Sequence, residues 1–423
     1  MKKALALLIP AVLLAGCGND DSAAANTTRV TILGTIKGEI APQFEDAMTA
    51  YNASQDKYEL VSLPIDGNAY ERMTALYASN NAPTIMVMGQ EAQELKDKLM
   101  DFSQSELIEN AYPGTYEVVK DGERVLGLPI TVESFGFIYN KAVLDQAVGG
   151  QFDPASINTQ AELATLFDQI SALENVDAVS VSPMDWSLGA HFSNVLFANQ
   201  GSDLGSNLEA LEAIKAGEIS LQKSDVYNGW VDTFDLMKKH NKSKRSPLAP
   251  TYDESAMALA SGEVGLWFQG NWAYTMLNEL NAEGEFGILP VPVSNDESFA
   301  GNNAISVGVP MYFTIDSAQS TEAERAGAQD FLNWLFTSEA GTDAYVNQMN
   351  FIPVYDNIEQ QPADELSQAI LAKMKAGETL NWVNMYYPGD AFPSMGASMQ
   401  KYLGGVIDRT ALAGEFEKYW TSK

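Results

Sequence analysis

Apolar residues along the chain recur with two alternating periods. Val30 to Leu33 is a short strand-like run closed by Gly34, after which Ile40, Phe44, Met48 and Tyr51 recur at helical spacing. Tyr58 to Leu63 alternates as a second strand, Pro64 to Asn68 is a loop, and Met73, Leu76 and Tyr77 mark a helical face over Tyr70 to Ala78. Asn80-Asn81-Ala82-Pro83 breaks that helix ahead of Thr84 to Met88, an apolar run suited to a buried parallel strand. Strands alternating with helices build βαβ units, so the pattern predicts an α/β fold.

The alternation continues through strands at Leu126 to Ile130 and Phe135 to Tyr139, a helix over Thr159 to Leu173 and a long helical tract near His191 to Gln200. Later strands are expected at Val264 to Phe268, Phe286 to Leu289 and Met311 to Ile315, with an amphipathic helix from about Ala323 to Phe336. No repeat and no long linker divides the chain. About 395 residues follow position 28, which suggests two lobes at the usual ~100–200 residues per domain. Lobes without a linker between them should interleave.

The N-terminus changes the picture. Met1-Lys2-Lys3, an apolar run from Ala4 to Leu14 and small residues before Cys17 read as a secretory signal, too short to span a bilayer stably. Leu14-Ala15-Gly16-Cys17 resembles the lipobox of bacterial lipoproteins, which implies acylation of Cys17 and loss of residues 1–16. Cys17 is the single cysteine, which excludes a disulfide within the chain and a cysteine metal cluster. Residues 17–28 have the polar composition of a flexible tether.

Charge excludes more than it assigns. The chain carries 25 Lys+Arg against 56 Asp+Glu, a net charge of −31. Such a field repels nucleic acid and anionic headgroups. There are two histidines, His191 and His240, without a metal-ligand spacing between them. Neither a phosphate-binding glycine loop nor a Gly-x-Ser-x-Gly elbow is present. His240, within Lys238-Lys239-His240-Asn241-Lys242, reads as an exposed helix end, and His191 as packed or surface. Tyr386-Tyr387 reads as packing or a pocket wall. No cofactor and no metal are expected.

The chemistry lies in aromatic and amide residues near glycine. Gly265 to Trp272 ends a strand in a glycine-flanked turn, where an indole can face a cleft. Sugars offer C–H faces to such rings and hydroxyls to amides and carboxylates. Leu128-Pro129-Ile130-Thr131-Val132-Glu133-Ser134-Phe135-Gly136-Phe137-Ile138-Tyr139-Asn140-Lys141 resembles the crossover segment of the maltose-binding-protein-like family of ABC-importer solute-binding proteins. Ser261-Gly262-Glu263-Val264 leading to Gly270-Asn271-Trp272 resembles that family's second hallmark, and Ala328 to Phe336 and Phe351-Ile352-Pro353-Val354 are similar to its later helix and turn.

The resemblance implies a two-lobed, type II periplasmic-binding-protein-like α/β fold with interleaved lobes joined by a hinge. The N-lobe is expected from 29–132 and 309–346, the C-lobe from 133–308 and 347–423. It implies a lipid-anchored, monomeric receptor on the extracytoplasmic face of the cell membrane, which binds a sugar, taken as an oligosaccharide, and delivers it to a permease. By matched motif, Glu133 accepts sugar hydroxyls, Trp272 stacks and Asn271 is an amide neighbour. By loop position alone, Lys37, Glu39, Asp66, Asn68, Trp186, Tyr312 and Trp382 join them. The rival readings are a surface-anchored glycoside hydrolase and a receptor for a cationic solute such as a polyamine.

Overall fold

A computed structural model describes residues 27–34, 37–64 and 69–423. The leader, Cys17, Asp66 and Asn68 lie outside the described residues. Two open sheets organise the chain. The first takes β1 (Thr28–Leu33), β2 (Tyr58–Ser62), β3 (Ile85–Met88), β6 (Leu128–Pro129) and β12 (Tyr312–Ile315), in the order β2-β1-β3-β12-β6. β1 runs parallel to β2 and β3, and β12 is antiparallel to β3 and β6. The Lys120–Asp121 (β4) and Arg124–Val125 (β5) strands form a separate small hairpin.

The second sheet takes β7 (Glu133–Asn140), β8 (Asp177–Ser180), β9 (Val264–Gly270), β10 (Phe286–Leu289), β11 (Ile305–Gly308) and β13 (Thr379–Asn381). β7 is its centre, pairing antiparallel with β9, β10 and β11, and all eight of its residues are buried. Its period of two sorts both faces into cores. Phe135, Phe137 and Tyr139 join Leu266 and Phe268 on one face, and Ile138 joins Trp267 and Ile288 on the other. Burial on both faces explains why this segment reads as a nearly continuous apolar run.

In the first lobe, Phe44 and Tyr51 of the Ala41–Ser54 helix meet Phe331 of the Glu322–Thr337 helix at 6.3 and 5.2 Å between ring centres. The long helical tract expected near residues 191–200 lies a little earlier and is of mixed type, a π-turn, Trp186–Phe192, continued by a short α-helix, Ser193–Phe197. Hydrophobic spacing over ten residues does not distinguish a π-turn from an α-helix, because one extra residue shifts the face without removing it.

The chain passes between the sheets at 129–133 and returns at 308–312. These passages are bonded to one another and to a third segment. Ile130 N donates to Met311 O at 3.0 Å and Val132 N to Ile352 O at 3.1 Å. The hydroxyls of Tyr345 and Tyr355 donate to Ile130 O at 2.5 Å and Pro129 O at 2.6 Å. Residues 350–357 remain with the first lobe, since Tyr112 N donates to Val354 O (2.9 Å) and Asp356 N to Asn110 O (2.8 Å). The last passage therefore lies beyond the expected change at 346/347. The Glu365–Ala376 helix then packs against β10 and β11 and leads into β13.

Candidate ligand-binding cleft

Each lobe brings a short loop to the line where they meet. From the first lobe comes Lys37, just ahead of the Gly38–Ile40 helical turn. Gly34 ends β1 at φ +152, where a Cβ would lie 2.5 Å from that of Val87, so the strand end requires glycine. From the second lobe comes the end of β9. A Cβ on Gly270 would lie 2.0 Å from the Trp272 ring, so glycine lets the indole fold back over the strand end. Asn271 Oδ1 accepts a 2.9 Å hydrogen bond from Ser134 N, tying that turn to the start of β7 and Glu133.

These loops make an ion pair across the cleft. Lys37 Nζ lies 2.5 Å from Glu133 Oε2, with the two side chains 24% and 3% exposed. The same Nζ lies 3.7 Å from the centre of the Trp272 ring, inside cation–π range. Burial pulls the Lys37 ammonium below its ordinary pKa and pushes the Glu133 carboxyl above its own, each opposed by the partner's charge. Glu39 lies close enough to act on both charges. Burial, followed by Glu39, raises the Tyr252 phenol well above its usual range.

Aromatic rings wall the pair. Trp186 lies 6.4 Å from Trp272 and 6.2 Å from Tyr252 between ring centres. His191 lies 5.0 Å from Trp272 and stacks on Phe135 at 4.6 Å. Burial, helped by the Lys37 charge, holds this imidazole down to a pKa of about 3, so it is neutral at ordinary pH. A second contact crosses the cleft further along. The Gln90 amide nitrogen, oriented by its hydrogen-bond partners, donates to the carbonyls of Met385 (2.8 Å) and Tyr387 (3.2 Å). The lobes are closed, and the cavity left beside Lys37, Glu133, Trp272 and Asn350 is about 20 Å³.

Of the residues expected at the site, Lys37, Glu39, Glu133, Trp186, Asn271 and Trp272 are brought together. Two others are corrected. Tyr312 is 1% exposed, and its hydroxyl donates to Thr115 O and Val309 O, both at 3.1 Å, so it braces the hinge instead of lining the cleft. Trp382 is 5% exposed and lies behind His191, 5.8 Å away, against Phe135. His240 is also corrected, from exposed to buried: its ring packs edge-on to Phe167, and Nδ1 lies 3.0 Å from Ser171 Oγ. Sequence reasoning missed Tyr252 at the site and placed no role on His191.

Among the described residues no group of three or more His, Cys, Asp or Glu side chains could hold a metal ion. A larger open groove of about 1040 Å³ runs past Lys242, Lys244, Arg245, Glu254 and Glu263, but none of the aromatic wall lines it.

Two lobes closing over buried polar and aromatic groups define a cleft-binding receptor. Residues 46–375 match the bacterial extracellular solute-binding protein family, and the chain belongs to it. The fold is that of solved sugar-binding proteins. The solute-binding protein RafE in complex with raffinose superposes with a TM-score of 0.77 at 17% identity, over 94% of this chain and 99% of that one. The apo-form of RafE from Streptococcus pneumoniae gives 0.73 at 17% identity, over 94% and 98%. Maltose-bound MalE3 of T. maritima gives 0.70 at 14% identity, over 93% and 99%. No curated protein matches the sequence.

Proposed function

We propose that this chain is the receptor of an ABC importer and captures a sugar, taken as an oligosaccharide, between its lobes. The observation that carries the reading is the run of rings Tyr252, Trp186 and Trp272 that ends on the Lys37–Glu133 pair at the lobe junction. Rings stack on sugar C–H faces while a carboxylate and amides take hydroxyls. The solved proteins of this fold that bind raffinose and maltose support it.

Ligand favours closure only through contacts to both lobes, and closure by hinge motion is what a permease could read. The N-lobe is assigned residues 29–132 and 309–358, the C-lobe 133–308 and the remainder. Cys17 is the proposed lipid attachment, holding the receptor at the extracytoplasmic face of the membrane, and Lys37, Glu39, Glu133, Trp186, Asn271 and Trp272 are the proposed residues of the binding site.

A thermal-shift screen of the full chain against mono- and oligosaccharides, polyamines and metal ions tests the proposal, with product analysis on every hit. A ligand at about 100 times its Kd adds about 2.7 kcal/mol. Stabilisation by a sugar that is recovered intact is expected. A sugar consumed would make the protein a hydrolase, and stabilisation by polyamines alone would make it a cation receptor.

A further inference from the structure

The ammonium of Lys37 is itself held as a bound cation. Glu133 contacts it at 2.5 Å and the Trp272 face lies 3.7 Å below it. Glu39 acts on both members of the pair and on the Tyr252 hydroxyl. Among the described residues, this box holds two carboxylates, several ring faces and one positive charge. That charge is on a flexible four-carbon stem from the opposite lobe, with 24% of the side chain exposed and so a way out to solvent.

Resting on the sugar-receptor reading above, we infer that the preferred ligand is an amino sugar whose free ammonium takes the place of Lys37 between Glu133 and Trp272.

Charge balance separates this ligand from a neutral one. A neutral sugar that expelled Lys37 would leave the buried Glu133 carboxylate without its cation, and stripping a buried charge of its partner is strongly unfavourable. A neutral sugar that left Lys37 in place would find the Glu133 carboxylate and the Trp272 face already taken by its ammonium. An incoming ammonium restores the pair, takes over the Trp272 face and leaves the sugar ring to stack on Trp186 or Tyr252. The neutral imidazole of His191 adds no competing positive charge.

The test is calorimetric titration of the full chain with three trisaccharides: one of glucosamine, its fully N-acetylated counterpart and one of glucose. Lys37→Met and Glu133→Gln are titrated in parallel, each first checked for its unfolding transition. The glucosamine trisaccharide is expected to bind at least about tenfold more tightly than the other two. Lys37→Met should tighten it further by removing the internal competitor, and Glu133→Gln should abolish the preference. Equal or better binding of an uncharged trisaccharide overturns the inference, and so does weaker glucosamine binding by Lys37→Met; either leaves the sugar-receptor reading standing. Binding of none of the three trisaccharides overturns the inference alone, and binding of spermidine with no sugar bound overturns both.

Discussion

The Phe135 ring and the His191 imidazole stack at 4.6 Å with 18° between their planes. Phe135 is a buried residue of the central strand, so the stack fixes the π-turn that carries both His191 and Trp186 onto the sheet. The imidazole is thereby enclosed, and enclosure is the larger cause of its depressed pKa, the Lys37 charge the lesser.

That depression predicts an acid-sensitive limb of stability. The native pKa is about 3 against an ordinary value of 6.5, so between those values the unfolded chain binds a proton that the native chain does not. Stability is full above pH 6.5 and falls as the pH drops toward 3, by up to about 1.4 kcal/mol per unit. Urea titrations at pH 4.5 and 7.5 on wild type and His191→Phe check this. The variant should lose less stability between the two pH values, and an unchanged difference would show that the limb belongs to other groups.

Trp272→Ala should leave folding largely intact and cost at least about 2 kcal/mol in ligand affinity, about thirtyfold, as truncating a stacked tryptophan commonly does. The side chain is partly exposed and stands beyond the end of β9, at the margin of both lobe cores and not inside either. Titration calorimetry with whichever sugar the screen identifies gives the affinity, and the thermal midpoint without ligand separates a lost contact from a lost fold.

Much of this was readable in the sequence, and the failures have physical causes. Strands such as 58–62, 286–289 and 312–315 stand within a residue or two of expectation because the first alternates between core and solvent and the other two are short apolar runs buried throughout. Glu133 was picked out by the resemblance of its segment to the family's crossover, and Trp272 by a glycine-flanked strand end as well as by resemblance; the structure sets both beside Lys37. Tyr312 was misjudged because position at a strand start does not reveal which side of the hinge the ring takes. His240 was misread through its lysine neighbours, although Tyr227, Trp230, Phe234 and Met237 place it on the buried face of its helix. His191 and Tyr252 reach Trp186 and Trp272 only through tertiary packing and an inserted π-turn, neither of which has a local signature.

The lobes should be held together in part by Lys37. Its removal loses the ion pair to Glu133 and the Trp272 contact while the Gln90 bonds to residues 385 and 387 remain. Lys37→Ala is expected to shift the ligand-free protein toward an open form. Small-angle scattering should give a larger radius of gyration than wild type, and Lys37→Ala combined with Gln90→Ala a larger one still. Identical radii in all three would mean the hinge alone sets the opening.

The π-turn is seated on glycine. A Cβ on Gly189 would lie 2.2 Å from Phe392 O and 2.4 Å from Gly396 N, and one on Gly396 would lie 2.6 Å from Asp185 Cα. Backbone packs directly on backbone between this turn and the Ala391–Leu403 helix, with no flexible side chain able to yield. Gly189→Ala should therefore cost about 2–4 kcal/mol of stability and weaken ligand binding as well, because Trp186 and His191 ride on the displaced turn. Gly414→Ala is the control. That glycine lies inside the Arg409–Trp420 helix with nothing within 4 Å of its added Cβ, so alanine should stabilise by about 0.5–1 kcal/mol. Urea denaturation of both variants decides it: equal midpoints would mean the turn can slide away from the helix without cost, and the aromatic wall would not depend on this contact.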